Sequence, residues 1–196
     1  MTHRVTNPVV LRDGTVAELR MVLPTDAPTL VEGFAALSLE SRAARFLAPL
    51  SRLSARQIAY FTDVDGDAHV AFGLAVPDAT HPHGQRGLGV ARYVRLPDDR
   101  GLAEVAVTVR DDAQGLGAGT ALFEALARHA REHGVDRFLA IMRDDNARMQ
   151  ALLDRVGTPS KRELEGSGVV AMTYTLGDPA ARSGPRRSTP PDAAVA

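Results

Sequence analysis

The sequence predicts a mixed α/β domain, a mostly antiparallel sheet with helices on both faces. Three observations carry this. Strand-like and helix-like periodicities alternate from Thr15 to Leu176, two strand patterns in mid-chain pair as a hairpin, and a glycine-rich turn at Gln114–Gly119 joins a strand to a long amphipathic helix.

In chain order, Thr15–Leu23 reads as a strand stopped by Pro24-Thr25-Asp26, after which Leu30, Val31, Phe34 and Leu37 fall at helical spacing. Ser38–Leu47 and Ser54–Phe61 read as two short helices separated by a loop at Pro49, and Ala68–Val76 as a strand ended by Pro77. The polar stretch Asp78–Arg86, with His81 and His83, is a surface loop. Gly87–Leu96 and Leu102–Val109 pair across Pro97–Gly101 as the hairpin. A helix over Thr120–His133 carries the apolar stripe Leu122, Phe123, Leu126 and Ala130 and is closed by Gly134. Arg137–Ile141 is a short strand, Met149, Leu152, Leu153 and Val156 mark another helix, and Val169–Leu176 is a last strand. The expected organisation is an extension at 1–14, one domain at 15–176, and a disordered Pro/Ala/Arg tail at 177–196.

The 196 residues are 44% hydrophobic and 24% charged, values of an ordinary single globular domain. The chain has no cysteine, which excludes thiol catalysis and a cysteine-held metal or disulfide. A net charge of −1 gives no general pull toward nucleic acid. Nothing approaches the length of a membrane span, and Met1–Pro8 holds no apolar run of a leader, so the expectation is a cytoplasmic protein without nucleic-acid or membrane partners. No metal is expected. His81 and His83 lack further ligands, and His129 and His133 read as a solvated helix end.

Gln114-Gly115-Leu116-Gly117-Ala118-Gly119 is the chemically informative segment. Glycines without Cβ let a diphosphate approach the backbone, and the first amides of the helix point unpaired toward it with the helix dipole behind them. No lysine stands where a Walker loop needs one. The Gly-x-Gly-x-Gly spacing after antiparallel strands also argues against a dinucleotide-binding fold. On the preceding strand Glu104, Ala106 and Thr108 share one face and Val105, Val107 and Val109 the other. Glu104 is therefore either a carboxylate placed where a substrate amine arrives, or a surface glutamate paired with Arg92 or Arg95. Asn146, in Arg143-Asp144-Asp145-Asn146, reads as a helix N-cap.

The glycine segment resembles the acetyl-CoA loop of the GNAT N-acetyltransferase superfamily. Within it the chain is most similar to bacterial protein lysine acetyltransferases, through Leu37–Arg42, Arg45-Phe46, Gly89–Tyr93 and Ala103–Val107. The resemblance implies a seven-stranded sheet splayed between Leu102–Val109 and Arg137–Ile141. It implies acetyl-CoA as co-substrate, held by Ala106, Val107, Thr108, the loop from Gln114 through Gly115, Leu116, Gly117, Ala118 and Gly119 to Thr120, and by Asn146, which touches the pantetheine. Glu104 falls where the family has its general base. Such a base is needed because a lysine amine, with a pKa near 10.4, is protonated at neutral pH. Arg42, Arg45 and Phe46 would form one wall of the acceptor groove or merely pack against the sheet. The implied activity is direct acetyl transfer to a primary amine, a protein lysine or a small amine such as a polyamine, amino acid or aminoglycoside, by a monomer or homodimer. The departures are Leu116 for the loop arginine, Thr158 for an aromatic, and no tyrosine among Leu152, Leu153 and Val156. They keep a third reading open, an acyl-CoA-binding sensor without turnover.

Overall fold

In a computed structural model that describes residues 7–177, eight strands form a single sheet in the order β1-β2-β3-β4-β5-β6-β8-β7. β1 (Asn7–Val10) and β2 (Val16–Met21) form a hairpin whose turn uses Gly14 at φ +85°. Pro24 then opens a short 3-10 turn that leads into α1 (Ala27–Ala35). α2 (Leu39–Phe46) is capped by Ser38, whose Oγ accepts from the Ser41 amide. α3 (Ala55–Thr62) is capped by Ser54 in a reciprocal box with Gln57.

β3 (His69–Pro77), β4 (Gln85–Leu96) and β5 (Asp99–Val109) continue the antiparallel sheet. A 3-10 turn at Asp111–Ala113 precedes α4 (Ala118–Glu132), and β6 (Arg137–Arg143), α5 (Ala147–Val156), β7 (Gly157–Gly166) and β8 (Val169–Leu176) complete the domain. α4 packs on one face over β3, β4 and β5, and α5 lies against α4. Leu122, Phe123 and Leu126 are fully enclosed there with Tyr93 and Phe138. Each such side chain contributes about 1.5–3 kcal/mol by leaving water, which makes this face the main core. On the other face α1 covers β4, α3 lies against α1, and α2 reaches β5 and β6.

β5 and β6 run parallel, and only Leu102, Ala103 and Glu104 pair, with Arg137, Phe138 and Leu139. Beyond Glu104 the strands part. The expected splay is present, and the β6-facing side of Ala106–Thr108 has no strand partner.

Two expectations need correction. The sheet has eight strands, not seven. β1 lies inside the stretch read as an extension, and β7 was not foreseen, because Thr158–Gly166 are exposed throughout and carry no apolar alternation for burial to impose. The turn of the central hairpin is also tighter than Pro97–Gly101, since Leu96 already pairs with Asp99. The stretch 178–196, expected to be a disordered tail, lies outside the described residues.

Candidate active site

Local backbone geometry shapes the glycine loop first. Gly115 and Gly117 take φ +76° and +94°, in the left-handed region that disfavours side chains, and α4 starts directly after Gly117. The first bond into α4 runs from the Ala121 amide to the Gly117 carbonyl at 3.0 Å. Among the described residues, the backbone N–H groups from Gly115 to Thr120 donate to no protein acceptor. The carbonyls of the same turn are drawn the other way: Arg12 donates from its guanidinium to Gly115 O at 2.9 Å and from its amide to Leu116 O at 3.0 Å. The result is a concave row of donors at a helix N-terminus, the arrangement that holds phosphate groups. Arg12 is a structural support of this loop that sequence reasoning missed. It lies about a hundred residues from the loop, and no local pattern links the two.

Leu116, in place of the family's loop arginine, packs its side chain on the core. Gln114 donates through Nε2 to Val109 O at 3.3 Å and to Asp111 Oδ1 at 3.2 Å, and its Oε1 accepts from Arg148. Gln114 therefore fixes the junction between β5 and the loop. Asn146 is the N-cap of α5 and accepts from the Met149 amide at 3.0 Å, which leaves its amide nitrogen without a protein partner among the described residues.

Sheet register settles what shares a face with Glu104. Arg92 pairs with Ala106, Val90 with Thr108 and Val94 with Glu104. These side chains lie on the side of α1–α3, opposite α4. Glu104 is exposed, and neither suggested arginine holds it. Arg92 donates to His69 Nε2 at 3.1 Å and to Phe61 O at 3.1 Å. Arg95, one residue out of phase and on the other face, pairs with Asp67 at 3.0 Å. Glu104 has no hydrogen-bond or ion-pair partner among the described residues, and its charge is felt by Arg45 on α2.

Beside Glu104, under α1–α3, lies a cavity of about 110 Å³. Its walls include Phe34, Phe46 and Phe61, with Arg45, Arg92 and Thr108. Arg45 and Phe46 line this cavity. Arg42 is not on it: its guanidinium stacks over Phe34 and donates to the carbonyls of Ala35, Leu37 and Ser51, which ties the ends of α1 and α2 together. Burial, and secondarily the charge of Arg45, push the Arg92 guanidinium down to about 9.

No cluster of three or more metal-ligating side chains occurs among the described residues. His81 meets Glu32 at 3.0 Å. His129 is not a solvated helix end, as had been expected. It is half-buried, shares a hydrogen bond with Tyr93 Oη through Nδ1 at 3.1 Å and stacks on His133 with ring centres 3.9 Å apart. No helix among the described residues is long and apolar enough to cross a membrane.

The Acetyltransferase (GNAT) family model matches residues 40–158. Acetyltransferase Pat of Mycolicibacterium smegmatis is 35% identical over 166 residues, 85% of this chain and 47% of that protein, so the chain spans about half the length of this relative. Acetyltransferase PA5475 of Pseudomonas aeruginosa is 30% identical over 141 residues, 71% of this chain and 73% of that protein. The solved GNAT domain of S. lividans PAT superposes with a TM-score of 0.75 at 34% identity, covering 87% of this chain and 97% of that one. A splayed sheet with a donor-lined turn at its opening, in this company of relatives, defines an N-acetyltransferase. The chain belongs to the GNAT acetyltransferase family.

Proposed function

We propose that this chain moves an acetyl group directly from acetyl-CoA to a primary amine. The observation that carries the reading is the row of amides from Gly115 to Thr120 that find no protein acceptor among the described residues, while Arg12 engages the carbonyls of Gly115 and Leu116. Four of these amides, Gly117 to Thr120, are those that any helix start leaves free, and the left-handed turn adds Gly115 and Leu116 to the same row. A diphosphate satisfies such donors at once. Bound there, acetyl-CoA supplies the thioester. The edge of Ala106–Thr108 that finds no strand partner on the β6 side is a strand-like track for its pantetheine arm, and Asn146 at the start of α5 is proposed to touch that arm.

Glu104 acts as general base, directly or through one water. It takes one proton from the incoming ammonium, the neutral amine nitrogen forms the C–N bond, the C–S bond breaks, and the nitrogen's second proton passes through solvent to the departing thiolate. Its carboxylate is exposed and accepts no hydrogen bond among the described residues, which supports this role by leaving its oxygens open to the amine. The chain contains no cysteine to carry an acyl-enzyme. Likeness to Acetyltransferase Pat favours a protein lysine as acceptor.

Isothermal titration tests the cofactor reading. Acetyl-CoA and CoA are expected to bind in the micromolar range and NADH not at all. Absence of binding by either CoA species would return the loop to a structural turn. Thiol release during incubation with lysine-containing peptides then distinguishes an enzyme from an acyl-CoA sensor.

A further inference from the structure

Four arginines line the cavity beside Glu104, and they divide into two kinds. Arg20 is paired with Asp26 at 2.6 Å and Arg110 with Asp112 at 3.0 Å. Arg45 and Arg92 have no carboxylate oxygen within 4.0 Å among the described residues. Arg92 is only 5% exposed. It lies 4.3 Å over the Phe61 ring, and its hydrogen bonds go to neutral acceptors, His69 Nε2 and Phe61 O. His69 supplies no compensating charge, because burial and then the neighbouring Arg92 both disfavour its protonation. Arg45 sits over Phe46 with its guanidinium 5.0 Å from the ring centre and makes no hydrogen bond among the described residues.

Two neighbouring cations beside aromatic walls with no carboxylate in contact are an expensive arrangement, since burial normally demands a paired charge, and Glu104 acts on Arg45 only at a distance, without an ion pair. The remaining carboxylates on the wall do not meet this need. Asp26 is engaged by Arg20, and Glu18 stands on β2 level with Gly87, about 16 Å along β4 from Arg92 at the ordinary rise per residue.

Resting on the acetyl-transfer reading above, we propose that the acceptor carries a carboxylate a few bonds from its reacting amine, and that Arg45 and Arg92 hold that carboxylate. Arg92 and Glu104 are diagonal neighbours across β4 and β5, since Arg92 is opposite Ala106 and Glu104 lies two residues further along β5. Diagonal positions on one sheet face are about 7–8 Å apart. An acceptor whose carboxylate rests on the guanidinium pair therefore presents its amine at Glu104. The same pair repels an acceptor that is only cationic. Two sources offer this chemistry: a free amino acid, or an acidic residue beside a lysine in a peptide.

Matched probes test it: lysine against lysinamide, and capped Glu-Lys against capped Gln-Lys amides, with spermidine as the purely cationic control. In thiol-release assays one acid form is expected to exceed its amide by about ten- to hundred-fold in kcat/KM, the range of a charge-assisted contact, and spermidine to be the poorest acceptor. The pair that shows the preference identifies the source. Arg45→Gln is expected to abolish the preference while acetyl-CoA affinity and unfolding temperature stay unchanged, and Arg92→Lys to reduce it. Equal use of acid and amide in both pairs, or a preference that survives Arg45→Gln, overturns the proposal. If acetyl-CoA binds but no probe turns over, the transfer reading fails instead. Titration of the same probes into the CoA-saturated protein then decides the pocket: tighter binding of an acid form sustains it, and equal binding removes it.

Discussion

Ser41 Oγ donates to Asp111 Oδ1 at 2.6 Å, and this contact ties the helix that carries Arg45 to the turn that precedes the phosphate loop. Asp111 also accepts from the amide and hydroxyl of Ser38 at 2.7 and 3.1 Å, and Gln114 Nε2 reaches Ser41 Oγ at 3.3 Å. The start of α2 and the glycine loop thus share one carboxylate. Asp111→Ala is expected to raise the acetyl-CoA Kd by about ten-fold, the scale of a lost charge-assisted bond, and to raise KM for the acceptor as well. Titration and steady-state kinetics on the same preparation check both. An effect confined to one substrate would show that the two are independent.

Glu104→Gln keeps the shape of the side chain and removes its basicity. The expected outcome is unchanged acetyl-CoA binding with a rate lower by about 10²–10⁴-fold. Part of that rate should return at higher pH, where more of the acceptor amine is already neutral. Full turnover in this variant would take the base role away from Glu104.

Gly117 sits at φ +94°, with Arg12 Cγ 3.9 Å from where a Cβ would be. There is room for a methyl group, so the cost of Gly117→Ala is conformational, about 1–2 kcal/mol for a left-handed residue. The variant is expected to lose that much stability in urea unfolding and to bind acetyl-CoA more weakly. Arg12→Ala should weaken acetyl-CoA binding without that conformational strain, by releasing the carbonyls of Gly115 and Leu116.

Stability should also depend on acid through Asp26, which accepts from both terminal nitrogens of Arg20 at 2.7 and 2.6 Å and from the Leu23 amide at 2.8 Å. Burial alone would push this carboxyl up, but the Arg20 guanidinium and the Leu23 amide outweigh it and hold it below the ordinary 3.8. A depressed carboxyl contributes its full stability above the ordinary value and loses it as pH falls through the lower folded one. The melting temperature is therefore expected to be flat from neutral pH to about 5 and to fall below about 4. Asp26→Ala should cost about 3–5 kcal/mol, because it leaves Arg20 buried without its partner, and should flatten that acid limb.

The glycine turn and the helix behind it were legible because their geometry is written in adjacent residues. Gly115 and Gly117 need left-handed backbone, and Leu122, Phe123 and Leu126 mark a buried stripe by spacing alone. β7 was not legible, because Thr158–Gly166 are exposed and charge pairing such as Lys161–Glu163 leaves no periodic trace. Arg12, Asp111 and the isolation of Arg92 were hidden for another reason. Each acquires its meaning from a partner, or from the lack of one, across tens of residues, and a single sequence does not record which charges end up neutralised. Arg42 shows the converse: a plausible groove residue by position, it is a clasp between α1 and α2.

The brevity of the β5–β6 ladder has a mechanical consequence. Three paired residues are a thin seam between the β1–β5 and β6–β8 portions of the sheet, so a molecule lodged in the opening becomes a strut between them. Ligation then adds stability as RT ln(1 + [L]/Kd), about 2.7 kcal/mol at a hundred-fold excess over Kd. The melting temperature of this protein should therefore register occupancy of the opening by any acyl-CoA, including acyl chains that it never transfers.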